Sequence, residues 1–276
     1  MSHPLLFAPT LPQPDRPLLV FLPGLDGTGR LLAPQVAGLV PHFDLRCALI
    51  PPDNRQGWDA LADAILAAME PLRGDRPLYL LGESFGGCLA LHLALRHPQA
   101  VQHLILLNVA SALRRHPWLR WASHLAPWVP DWMFRSAGSV TLPLIATFDR
   151  MAPATQQLFV ETVRPIPQDC VAWRLSLLLE FAPDPAALQR MTCPALLLAS
   201  DRDRLFDSHQ EAQRLQRWLP QAQIYRLPHS GHGALLEAAV NLAEILAQTN
   251  RLPSLPAPAL GESQGAVEST AAPMDG

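Results

Sequence analysis

The stretch YLLGESFGGCLAL, Tyr79 to Leu91, is apolar at both ends and breaks in the middle at Gly82-Glu83-Ser84-Phe85-Gly86. The residues before the break read as a strand over 77–81, and those after it as a helix over 85–97 that Pro98 stops. A serine between glycines where a strand hands over to a helix is the pattern of a nucleophile elbow. The turn is so tight that the nucleophile sits in a strained backbone conformation, and side chains at the flanking positions would clash. The helix that follows aims free backbone N–H groups at the point where an oxyanion would develop. Ser84 is therefore the candidate nucleophile, and the Phe85 N–H a candidate oxyanion donor. The same five residues in a surface loop would carry no chemistry; the flanking strand and helix argue for the elbow.

A serine hydroxyl needs a base, and the base needs an orienting acid. Around such elbows the partners follow in the order serine, acid, histidine. Near the end of the chain stands Leu227-Pro228-His229-Ser230-Gly231-His232-Gly233, after one expected strand and before the last expected helix. His232 is the candidate base because it directly precedes that helix; His229 fits a surface loop histidine better. The acid should follow the apolar strand ALLLAS, where Asp201-Arg202-Asp203-Arg204 lies. Asp203 sits deeper in the loop and is the candidate; Asp201 is its rival, and either could simply pair with a flanking arginine. A second oxyanion donor should come from the loop after an early strand, here Leu22-Pro23-Gly24-Leu25-Asp26-Gly27-Thr28-Gly29, with the Leu25 N–H as the candidate. This loop does not match a phosphate loop, because neither nucleotide fingerprint fits its spacing and no lysine follows.

The elements that must position these residues alternate. Strands are expected over 17–22, 43–49, 77–81, 103–107, 195–199 and 223–227. Helices are expected over 58–69, 85–97, 208–219 and 234–248. Such alternation gives an α/β fold with a mostly parallel sheet and helices on both faces. Residues 1–110 and 189–250 read as the core. Residues 111–188 break the rhythm with a helical, tryptophan- and proline-rich pattern that includes HPWLRWASHLAPWVPDWMF. They read as an inserted helical cap, in which Trp118, Trp121, Trp128 and Trp132 are candidate substrate-binding residues. An ordinary packed subdomain would explain the same tryptophans; a lid facing a lipid-like substrate or a membrane surface is the functional alternative. Residues 251–276 have a disordered composition.

Composition excludes several function classes. The net charge is −3, so no nucleic-acid partner is indicated. All 21 basic residues are arginine, which rules out a Schiff-base lysine and a P-loop lysine. The four cysteines, Cys47, Cys88, Cys170 and Cys193, show neither CxxC nor zinc spacing. Buried free thiols in a reducing, cytoplasmic setting are the expectation. No signal-peptide pattern opens the sequence and no apolar run of 18 residues occurs in it, so any membrane contact is expected to be peripheral. No metal or organic cofactor is expected.

Four stretches carry a family resemblance: FLPGLDGTGRLL, FDLRCALIPPDNR, LYLLGESFGGCLALHLALRHP and LPHSGHGALLEAAVNLAEIL. They resemble the α/β-hydrolases, and within them the hydrolase half of the phytyl ester synthase and diacylglycerol acyltransferase-like family of plastids and cyanobacteria. The resemblance implies Ser84, Asp203 and His232 as the triad. It also implies fatty acyl transfer from a lipid or acyl carrier to water or to a long-chain alcohol such as phytol. The His-x4-Asp motif of the family's acyltransferase module is absent from this sequence, so ester hydrolysis is the first expectation and transfer the second. A non-catalytic lipid- or partner-binding protein of the same fold is the third.

Overall fold

The computed structural model describes residues 2–115 and 142–253. Seven strands form one sheet: β1 (Leu5–Phe7), β2 (Leu18–Leu22), β3 (Asp44–Leu49), β4 (Leu78–Glu83), β5 (His103–Leu107), β6 (Ala195–Ser200) and β7 (Ala222–Leu227). Their spatial order is β1-β3-β2-β4-β5-β6-β7; β1 runs antiparallel to β3, and every other pairing is parallel. The helices described from end to end are α1 (Ala33–Leu39), α2 (Trp58–Arg73), α3 (Phe85–Arg96), α4 (Pro153–Val163), α5 (Gln168–Glu180), α6 (Pro185–Gln189), α7 (Ser208–Gln216) and α8 (Leu242–Gln248).

The central strands are apolar on both faces because both faces are covered. Along β2, Leu18, Val20 and Leu22 enter one core layer with residues of α2, α3 and α7, while Leu19 and Phe21 enter the other with residues of α1 and α8. Along β4, Leu78 and Leu80 face the first layer, and Tyr79 and Leu81 the second. The chain runs from β2 outward to β3 and then crosses back to β4 on the other side of β2. That reversal is a topological switch point, and α/β proteins place their sites outside the carboxyl ends of the strands there, here β2 and β4. Ser84 and the 23–29 loop lie at those two strand ends.

The structure departs from the sequence reading in three places. The short β1 and the helix α1, with Pro34 in its first turn, were not expected. The stretch 234–248 is not one helix: a single 3-10 turn (Ala234–Leu236) is followed by an extended Glu237, and α8 starts only after Asn241. The Asn241 side chain caps α8 by accepting from the Ala243 and Glu244 N–H groups, and Gln35 accepts from the Leu242 N–H. Of the segment expected to be a cap, residues 116–141 lie outside the described residues, and with them Trp118, Trp121, Trp128 and Trp132; so does the 254–276 part of the tail. Among the described residues no helix is long and apolar enough to cross a membrane.

Candidate active site

Ser84 occupies the turn between β4 and α3 with φ 55° and ψ −112°, a left-handed conformation that costs a non-glycine residue energy. The neighbours hold it there. Its N–H donates to the Leu107 carbonyl of β5, and its own carbonyl accepts from Gly87, Cys88 and Ala110. The glycines on either side are required by close approach. A Cβ on Gly82 would lie 2.3 Å from the Gly86 carbonyl oxygen, and one on Gly86 would lie 2.0 Å from that of Leu22. Elbow and strand β2 are thus packed backbone to backbone.

His232 Nε2 lies 2.9 Å from Ser84 Oγ, and His232 Nδ1 lies 2.7 Å from Asp203 Oδ2. With the Nδ1 proton donated to Asp203, Nε2 is left to accept from the serine hydroxyl. The three side chains form one hydrogen-bonded line from three strand ends, β4, β6 and β7. Asp203 is further held by the Leu205 N–H and the Ser208 hydroxyl. Burial pushes its carboxyl upward, but His232 and these donors more than offset that, so it stays below the usual aspartate range. For His232, burial disfavours the charged ring, yet Asp203, with a further contribution from Glu83, holds its pKa above the ordinary histidine value. Asp201, the rival acid, instead forms a surface ion pair with Arg226 at 2.8 Å, and His229 is exposed.

The loop expected to supply an oxyanion donor, between β2 and α1, lies beside Ser84. Gly24 faces the nucleophile so closely that a Cβ there would stand 3.8 Å from Ser84 Cβ. Among the described residues no acceptor takes the Leu25 N–H, and the first N–H of α3, that of Phe85, has no partner within its helix. Phe85 itself is buried and stacks on Trp58, ring centroids 5.0 Å apart.

Several supporting residues escaped the sequence reading. Asn108, at φ 45° just after β5, accepts from the Ser200 N–H and donates to the carbonyl of His232 at 2.7 Å. Its only signal was a polar residue closing an apolar strand. Glu237, fully buried, accepts from the Gly231 N–H beside the histidine and pairs with Arg150 at 2.7 Å. Nothing in an apparently helical run marked it. Glu83 is 7% exposed, its Oε1 has no partner among the described residues, and burial raises its pKa to about 7. Among the described residues no cluster of His, Cys, Asp or Glu is arranged to hold a metal.

The arrangement can activate a serine, deliver its proton to a leaving group and hold a tetrahedral oxyanion, which is the equipment of acyl transfer. Comparison with known proteins agrees in fold and family. The chain is 30% identical over 271 residues to phytyl ester synthase 1 of Arabidopsis thaliana and 29% over 264 residues to phytyl ester synthase 2, covering 87% and 84% of this chain. It spans only 38% and 37% of the length of those relatives. It is also 26% identical to the putative carbamate hydrolase RutD of Stutzerimonas stutzeri, covering 85% of this chain and 91% of that one. Among solved structures, MenH from S. aureus superposes with a TM-score of 0.73 at 16% identity over 90% of this chain and 97% of that one. The enol-lactonase of Burkholderia xenovorans superposes with 0.69 at 20% identity, covering 89% and 95%. The alpha/beta hydrolase fold profile matches residues 17–239, and with the elbow and sheet order described above the chain belongs to that family.

Proposed function

We propose that the protein is a serine hydrolase of carboxylic esters, with a fatty acyl group on the acid side of the ester. Ser84 attacks the ester carbonyl while His232 takes its proton, Asp203 stabilises the imidazolium, and the Leu25 and Phe85 N–H groups receive the oxyanion. His232 then protonates the leaving alcohol, and water resolves the acyl-enzyme through the same base. The observation that carries this reading is the unbroken line Ser84–His232–Asp203 at 2.9 and 2.7 Å, ending on a serine held at positive φ. Transfer of the acyl group to a long-chain alcohol is the second reading, favoured by the similarity to the two phytyl ester synthases. The four cysteines are all free, which supports a reducing compartment.

The test is turnover of p-nitrophenyl esters of increasing chain length by the protein and by Ser84→Ala, with and without phytol. Serine-dependent release of free fatty acid in both conditions supports hydrolysis, and the preferred length sizes the acyl site. Serine-dependent formation of phytyl ester moves the assignment to transfer. Turnover unchanged in Ser84→Ala rejects both.

A further inference from the structure

Arg174, on α5, is 2% exposed, and among the described residues no carboxylate lies within ion-pairing distance of it. A guanidinium buried without a counter-ion is costly unless its donors are satisfied. Among the described residues, the two terminal nitrogens of Arg174 are held by backbone carbonyls. Nη1 donates to the Leu25 carbonyl at 2.6 Å, and Nη2 to the Ile50 carbonyl at 2.8 Å, with Pro51 at 3.4 Å. One side chain thereby ties together the loops that leave β2 and β3.

The seat is shaped for it. Residues 24–27 form a turn in which the Gly27 N–H donates to the Gly24 carbonyl at 3.1 Å, while the Gly27 carbonyl accepts from Ile50 at 2.7 Å. Gly27 has φ 68°, and a Cβ there would stand 2.4 Å from Arg174 Nη1. The glycine thus permits the turn and leaves room for the guanidinium. The consequence falls on Leu25. Its N–H belongs to the same planar, trans peptide as the Gly24 carbonyl, so the turn bond fixes that plane and sends the N–H the opposite way, out of the turn. Its carbonyl belongs to the next peptide, which Arg174 fixes. Both peptides flanking Leu25 are held, one by the turn and one by a side chain from α5.

We propose that Arg174 is a positioning residue for oxyanion stabilisation: it holds the Leu25 N–H on target and makes that donor dependent on the docking of α5 against the β2 and β3 loops. This rests on the serine-hydrolase reading above. The lost geometry would appear in the transition state and not in ground-state binding, because an oxyanion donor acts where charge develops.

The experiment measures kcat and KM for a p-nitrophenyl ester, and the affinity of a trifluoromethyl ketone that forms a tetrahedral adduct on the serine. The proteins are the wild type, Ser84→Ala, Arg174→Lys, Arg174→Met and Arg174→Ala, the last also with added ethylguanidinium. The expected result for Arg174→Met is a loss of about 100-fold in kcat with KM within about threefold. Ketone affinity should fall in proportion to kcat/KM. Arg174→Lys, which has no planar fork to span Leu25 and Ile50, should recover little of this. Ethylguanidinium should restore activity to Arg174→Ala, which a globally loosened protein would not show; this arm decides the matter if Arg174→Met does not fold. Turnover within threefold of wild type in the Arg174 variants overturns the proposal, as does a loss confined to KM or one that the ketone does not share. Turnover retained by Ser84→Ala removes the serine mechanism itself, and the proposal with it.

Discussion

In the proposed mechanism His232 takes a proton from Ser84 only while Nε2 is unprotonated, so the charge balance around the ring would set the acid limb of activity. Burial alone would lower that limb; Asp203, 2.7 Å away, and Glu83 together raise it further than burial lowers it. The expected kcat/KM profile therefore loses activity below a pKa above the free histidine value of about 6.5. Asp203→Asn should move the limb to lower pH and cut kcat by about 10⁴-fold, since the amide supports neither the tautomer nor the imidazolium. A pH–rate profile of both proteins checks this, and a limb that does not move would remove Asp203 from the line. Glu83 behaves in the opposite sense as a stability element. Its folded pKa of about 7 lies above the ordinary glutamate value near 4.5. Between those values the unfolded chain has already lost the proton that the folded chain keeps, so stability falls as pH rises from about 4.5 to about 7. The loss has a ceiling on the order of 3 kcal/mol. Glu83→Gln abolishes that slope. Urea midpoints of the two proteins at pH 5 and pH 8 should differ only modestly at pH 5, with the variant clearly more stable at pH 8.

At the scale of elements, the chain's own punctuation made the core legible. Strands such as Leu18–Leu22 and Ala195–Ser200 are unbroken apolar runs ended by Pro, Gly or Asp, and the residues that close them sit at the carboxyl edge of the sheet, where chemistry is done. The elbow was legible for the same reason. What was not legible depends on distant partners. The run 234–248 has helical periodicity, but Glu237 leaves the helix to serve the Gly231 N–H and Arg150, and Asn241 restarts it. Tertiary hydrogen bonds overrode local propensity there. The pairs Asn108–His232 and Arg174–Leu25 are 124 and 149 residues apart in sequence, so no local pattern announces them. Glu237 is also where an element change should be felt. Replacing it with Ala leaves the buried Gly231 N–H and the Arg150 guanidinium without their acceptor. A loss of about 2 kcal/mol is expected, tempered because Arg150 is partly exposed. Because Gly231 precedes His232, kcat should fall as well; chemical denaturation and steady-state kinetics on Glu237→Ala measure both. Unchanged stability would mean that the Gly233–Ile145 backbone bond and the Asn108 bond to the His232 carbonyl hold the loop without it.

Over the whole molecule, one sheet separates two apolar layers, and free thiols sit as reporters in different places. Cys88, on α3, lies in the layer with α2 and α7, and Cys47, on β3, lies in the layer with α1 and α8. Cys170, on α5, is buried beside the segment that carries Arg174, while Cys193 is partly exposed. Burial raises all four thiols, Cys47 to about 12, so none reacts quickly in the folded state by ionisation alone. Labelling is then governed by opening. Cys47 lies on β3 and Cys88 on α3, the helix that follows β4; both strands pair with β2, so exposing either thiol is expected to open the same sheet. They should react at one common rate, that of global unfolding, in time-resolved alkylation followed by peptide mass spectrometry. Cys193 should react first. Cys170 should come next if α5 can undock without loss of the sheet, and the gap between its rate and that of Cys47 measures the free energy of that undocking. If Arg174 fastens α5 to the β2 and β3 loops, Arg174→Met should accelerate Cys170 while leaving the ratio of Cys47 to Cys88 at one. Equal acceleration of all three buried thiols would mean instead that α5 belongs to the same cooperative unit as the sheet, and that the loop carrying Leu25 cannot loosen without unfolding the molecule.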